Sequence, residues 1–301
     1  MIETWQESID NEAVLLFKDA RFSSETLAVL QECWEYHQEE NKKKNSQYAQ
    51  WFYLALAATA LFTDDLKPGI PPALAMELLA LAADILDDLA DQDNDAAPWR
   101  MMAPALALHA GACFLTLSFQ ALSTIVDPGQ FKKLASLFST AGSRACDGQI
   151  QEICQQQARI TQEGCLQITG DKAASLTSCA CEAGAVAGGA SDEDQDLMGQ
   201  FGRNVGIIAQ IHNDLRDLLD TTGKSDFRKK RQSLPIIYLQ NALQEELDWD
   251  QGWLRRMLKD KGAIAYCDFI CEVYASDAVK ALDQVNVPME KKKGLMSIVA
   301  P

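Results

Sequence analysis

The chain has 301 residues, 48% of them hydrophobic, with 27 Lys and Arg against 43 Asp and Glu for a net charge of −16. That length and apolar content can bury a large core. The acidity excludes a nucleic-acid partner, because backbone binding needs a basic face that displaces counterions.

Apolar residues recur at helical spacing nearly everywhere, and sustained strand-like alternation is hard to find. Helices are predicted at roughly 11–20, 25–40, 47–62, 71–92, 100–124, 128–140, 143–160, 165–189, 192–220, 234–245, 249–260 and 264–284. Pro and Gly punctuate the chain where ends are expected, at Lys67-Pro68-Gly69, Pro71-Pro72, Asp127-Pro128-Gly129 and Gly223. No linker or internal repeat divides it, so residues 1–301 are expected to form a single all-α helical bundle. Small residues crowd 55–60 and 183–190, which suits either close helix packing or a lined apolar tunnel.

Nine cysteines at irregular spacing, without a CxxC pair, and an acidic N-terminus without an apolar signal core predict reduced thiols in the cytoplasm. No run of eighteen uninterrupted apolar residues occurs, and Trp51 to Phe62 is too short to cross a bilayer, so stable membrane insertion is not expected.

Within the helix predicted over 71–92 lies Asp87-Asp88-x-x-Asp91, and within 192–220 lies Asn213-Asp214-x-x-Asp217. Carboxylates at i and i+4 share one helix face, so each cluster can aim two or three oxygens at one point. Like charges at that spacing cost about a few tenths of a kcal/mol, and acids toward a helix C-terminus oppose the macrodipole. A solvated acidic face is one reading. The other is a hard-cation site, since Mg²⁺ joined to substrate phosphates is the usual partner of crowded carboxylates.

The second cluster is preceded by Gln210 and followed by Lys224 and by Arg231-Gln232-Ser233-Leu234-Pro235. With Glu77 ten residues before the first cluster, Gly148-Gln149, and Lys172-Ala173-Ala174, this ordered series resembles the class I trans-isoprenyl diphosphate synthase family, the polyprenyl synthetases, over about residues 47 to 240. The resemblance implies an isoprenoid-synthase-type bundle, commonly a homodimer. It also implies two acidic motifs that bind three Mg²⁺ ions and grip the diphosphate of an allylic substrate. Carried over by motif, Asp87, Asp91 and Asp217 are the leading metal ligands, with Asp88, Asn213 and Asp214 as neighbours or water-mediated partners. Lys172, Lys224 and Arg231 would contact the diphosphate, and Gln210 and Gln149 the substrate. An ordinary surface charge is the alternative for each basic residue.

Three departures bear on the acceptor. Elongating members of the family carry Gly-Lys-Arg before the helix that corresponds to 51–62, and here Gln47-Tyr48-Ala49-Gln50 stands there. They follow the first motif with Arg-Arg, and here Asp93-Asn94-Asp95 leads to Pro98-Trp99-Arg100. The second motif begins with Asn213. Losing both basic clusters removes much of a second diphosphate site. The variant looks like the ComQ-type branch, in which a Trp of a short pheromone precursor peptide attacks the allylic cation of geranyl or farnesyl diphosphate. The alternatives are a short-chain prenyl diphosphate synthase condensing with isopentenyl diphosphate, a terpene cyclase, and a noncatalytic subunit.

Overall fold

The computed structural model describes residues 2–43, 51–92, 94–155, 160–219, 231–244 and 247–299, and no strand occurs among them. The chain runs through α1 (Ile2–Asp19), α2 (Ser24–Lys43), α3 (Trp51–Phe62), a 3₁₀ turn at Lys67–Gly69, α4 (Ile70–Asp91) and the single turn α5 (Pro98–Met101). It continues through α6 (Pro104–Leu122), α7 (Pro128–Gln155), α8 (Gln162–Lys172), α9 (Ala174–Ala187) and α10 (Asp192–Leu219). The last four helices are α11 (Leu234–Leu243), α12 (Gln251–Asp260), α13 (Ala263–Gln284) and α14 (Met289–Val299).

Helices α4, α9 and α10 form the middle of the bundle. α6 covers α4, α3 lies across α4 and α9, and α10 is sandwiched between α9 and α13. The unbroken buried run Pro72 to Ala82 explains the apolarity of α4, because neighbouring helices surround it. By length and composition, Lys67–Asp91 and Pro104–Leu122 are apolar enough to cross a membrane, although Glu77 and Asp84 interrupt the first as an uninterrupted run. Most of the first is buried inside the bundle.

Glu77 is fully buried in α4. One carboxylate oxygen meets His37 Nε2 at 2.8 Å and accepts from Asn41 Nδ2 at 3.1 Å, both on α2. The other accepts the Phe52 backbone N–H at 2.8 Å, at the start of α3. An acid this deep persists only when its oxygens are satisfied, and here satisfying them ties three helices together.

The small residues of α3 and α9 serve close packing. A Cβ on Gly184 would lie 2.1 Å from the Ala55 carbonyl oxygen and 2.8 Å from the Ala58 Cβ, so the two helix backbones are in direct contact there. Thr59 Oγ1 closes the contact by donating to the carbonyls of Ala55, at 2.9 Å, and Gly184, at 3.0 Å.

Several element boundaries differ from the sequence expectation. α1 begins at Ile2 instead of near residue 11, because Gln6 and Ile9 extend the stripe of Ala13, Leu16 and Phe17, and Gln6 hydrogen-bonds Gln38 of α2. The two helices expected over 128–160 are one, since Gly142 sits in α7 without breaking it. The helix expected over 165–189 is divided at Ala173, whose φ of −99° ends α8 and opens α9. α5 and α14 were not predicted.

Candidate active site

Both acidic clusters occupy the last turns of their helices, α4 and α10. Helix C-termini carry partial negative charge, so the two ends favour cations. Asp87 receives one directly: Lys172 Nζ donates to its Oδ1 at 3.0 Å. Lys172 ends α8, and the same ammonium donates to Glu152 Oε2 on α7 at 2.7 Å. The opposite oxygen of Glu152 accepts from Arg231 Nε at 2.6 Å and lies 2.5 Å from its Nη2. Burial works against an ionised Glu152, yet the charges of Arg231 and Lys172 hold its pKa below the usual carboxylate range.

Glu152, Lys172 and Arg231 line a cavity of about 40 Å³, whose wall also includes Gln210, Asp214, Cys165, Gln232 and Ser233. Asp214 is buried and accepts from Gln210 Nε2 at 2.8 Å. Lys172 therefore links the first acidic motif to the cavity that the second one lines. Ser233 is only 4% exposed, and its Oγ has no hydrogen-bond partner among the described residues. The Gln232 Oε1 and both amide atoms of Gln149 are in the same condition. Of these, Ser233 and Gln232 line the cavity, and buried polar atoms left this way at a cavity wall suit a polar ligand.

The other sequence-predicted residues are placed differently. Asp91 and Asp217 are half-buried on the final turns of α4 and α10. Asn213 is exposed, and its Oδ1 accepts from Arg216 at 2.6 Å. Asp88 faces the segment that follows α4: its Oδ2 accepts from Trp99 Nε1 at 2.7 Å and from Asn94 Nδ2 at 3.1 Å. Burial pushes Asp88 up to about 7, despite the lowering effect of these two donors. Tyr36 completes the cluster, donating to Asn94 Oδ1 at 3.2 Å and meeting the Trp99 ring edge-on at 5.3 Å. Lys224 lies outside the described residues, as do Gln47 to Gln50, Asp93 and the basic run Arg228 to Lys230. His212, beside the second motif, is exposed.

Three features of this region were missed from the sequence. Glu152 stands three residues after Gln149, so Gly148-Gln149-x-x-Glu152 is the signal that could have drawn attention to it. Trp99 was noted only as a departure. His37 has no ligand spacing in the sequence, yet it is buried against Glu77 and comes within 3.7 Å of Asp84.

Among the described residues no three His, Cys, Asp or Glu side chains converge as a ready-made metal cage. The donor set nevertheless fits Mg²⁺, which takes oxygen ligands, keeps several waters, and is usually held by one or two carboxylates together with substrate phosphates.

A polyprenyl synthetase family model matches residues 28–267. The chain is 27% identical over 228 residues to the tryptophan prenyltransferase ComQ of Bacillus spizizenii, covering 70% of this chain and 79% of that one. It is 28% identical over 265 residues to the geranylgeranyl diphosphate synthase of Methanosarcina mazei, covering 79% of each. Its fold superposes with a TM-score of 0.81 on the crystal structure of geranylgeranyl pyrophosphate synthase from Corynebacterium glutamicum complexed with isoprenyl diphosphate and magnesium, at 16% identity, covering 99% of this chain and 96% of that one. With the family model spanning most of the chain and this fold around both acidic motifs, the chain belongs to the polyprenyl synthetase family of prenyltransferases.

Proposed function

We propose that this chain is a Mg²⁺-dependent isoprenyl transferase that ionises geranyl or farnesyl diphosphate and transfers the prenyl group to a Trp of a short precursor peptide. The observation that carries the reading is the position of Lys172, between Asp87 of the first motif and the cavity lined by Gln210 and Asp214 of the second. Bound Mg²⁺ would supply Lewis-acid stabilisation of the leaving diphosphate oxygens. Asp87, Asp91 and Asp217 would hold it, with Asp214 behind them. Lys172 and Arg231 add positive charge where negative charge develops on the leaving group, and Lys224 is a third candidate. The oxygens of Ser233 and Gln232, which have no hydrogen-bond partner among the described residues, remain for orienting contacts, and the amide of Gln149, outside that cavity wall, is a further candidate.

The peptide acceptor rests on two supports. The relative from Bacillus spizizenii is named a tryptophan prenyltransferase. In addition, the segment after α4, where elongating enzymes carry two arginines, is here occupied by Trp99 and Asn94 satisfying Asp88. A neutral indole is electron-rich enough to attack an allylic cation without a second phosphate site. A second reading, chain elongation with isopentenyl diphosphate, draws on the similarity to the Methanosarcina synthase. The nine free thiols suit a cytoplasmic setting.

The deciding assay supplies labelled geranyl or farnesyl diphosphate with Mg²⁺ and either isopentenyl diphosphate or a Trp-containing peptide. Labelled peptide is the expected product. A longer prenyl diphosphate, with unmodified peptide, would replace this reading with the second.

A further inference from the structure

We infer that Glu152 is a built-in stand-in for the substrate's diphosphate: it occupies the two cations of the site in the free enzyme, and the incoming diphosphate must win them from it. The inference rests on the reading above, in which Lys172 and Arg231 serve the diphosphate. Its basis is the use of both carboxylate oxygens, one at 2.7 Å from the Lys172 ammonium and the other at 2.6 Å from Arg231 Nε. These partners lie 20 and 79 positions away in sequence, on the end of α8 and on the segment before α11. A two-pronged anion between two cations reproduces, in a side chain, the charge pattern that a diphosphate would present.

The arrangement has two physical consequences. Two cations facing a half-enclosed cavity would be costly without counter-anions, and Glu152, which shares Lys172 with Asp87, contacts both of them and helps to fix both side chains in position before substrate arrives. The same contact lowers affinity for any diphosphate. It therefore weakens the grip on pyrophosphate after the prenyl group has left, and product release is a common limit on turnover. Glu152 is thus a positioning residue that trades diphosphate affinity for release.

The test uses Mg²⁺ and inorganic pyrophosphate alone, titrated calorimetrically into the full chain, so that no acceptor need be known. Glu152→Gln keeps the shape and removes the charge. It is expected to bind pyrophosphate about tenfold tighter than the parent, with a parallel fall in KM for the allylic diphosphate. Adding Lys172→Gln should erase the gain, a coupling that a merely structural Glu152 would not produce. If Glu152→Gln fails to fold, Glu152→Asp serves instead. It keeps the charge but is one methylene too short to hold both cations, and about threefold tightening is expected. Unchanged or weaker affinity in a folded variant, with the parent binding normally, overturns this inference alone. A parent chain that does not bind Mg²⁺ and pyrophosphate at all overturns the diphosphate reading and this inference with it.

Discussion

Gly148 on α7 lies against the backbone of Lys172 on α8: a Cβ built on Gly148 would stand 2.5 Å from the Lys172 amide nitrogen and 2.9 Å from its Cα. The clash is with backbone, which cannot swing aside as a flexible side chain would. Gly148→Ala is therefore expected to push α8 away and to displace the Lys172 ammonium from Asp87 and Glu152. Overpacking of this kind costs about 1–3 kcal/mol, and a shift near 1 Å at a reacting site can cost about 10²-fold in rate. Urea unfolding and kcat/KM measured on the same sample check the two effects, with the rate expected to fall more than stability alone explains.

Glu77→Ala should damage the fold more than the chemistry. It removes the acceptor for the Phe52 N–H and the partner of His37 and Asn41, all enclosed. Leaving a buried polar group unpaired in this way costs about 1–3 kcal/mol for each group. Chemical denaturation is expected to show a lower midpoint with an unchanged slope, and Glu77→Gln, which keeps one acceptor oxygen, a smaller loss.

Asp88 gives the Mg²⁺-free protein a pH dependence with a defined sign. Its pKa is raised in the folded state to about 7, from an unfolded value of 3.8. Between those values the folded chain holds a proton that the unfolded chain has lost, so this group's contribution declines as pH rises from about 4 to 7 and is level above that. Asp88→Asn should flatten that part of the stability profile, because its side-chain oxygen can still accept from Trp99 and Asn94, which both donate to one oxygen of Asp88. Melting temperatures across that range, in a chelating buffer, provide the comparison.

Asp87→Ala and Asp217→Ala are expected to abolish turnover with far-UV dichroism and melting little changed, since both side chains are half-buried on the last turns of their helices. Losing several kcal/mol of leaving-group stabilisation corresponds to roughly 10³-fold or more in kcat. Near-normal single-turnover rates in both variants would remove these residues from the metal site.

Trp99→Phe tests the segment that replaces the arginines. The indole donor to Asp88 is lost while most of the buried ring remains. A hydrogen bond to a charged group contributes about 1.5–3 kcal/mol, and an unfolding titration at pH 8, where Asp88 is mainly ionised, should reveal a loss of that order.

The amino-acid order determined the class of fold and the family, because both are carried by local patterns. Apolar residues at helical spacing specify α10, the length of the apolar run between Pro71-Pro72 and the acidic motif specifies α4, and Asp87-Asp88-x-x-Asp91, Asn213-Asp214-x-x-Asp217 and Arg231 to Pro235 are short enough to read directly. Helix joins were less legible. The division at Ala173 and the continuity of α7 through Gly142 depend on what packs outside each helix, and the early start of α1 depends on its packing against α3 and α4 and on Gln38 of α2 as a partner for Gln6. Only the tertiary structure decided which carboxylates share a cation. Asp87 and Glu152 share Lys172, which lies 85 and 20 positions from them, and Lys172 reaches Glu152 because Gly148 lets α7 close on the end of α8, a distance condition that no local pattern contains. It likewise decided that Asp88 turns to Trp99 while its neighbour Asp87 turns to Lys172. Adjacent residues on a helix point about 100° apart, and what lies in each direction belongs to the packing.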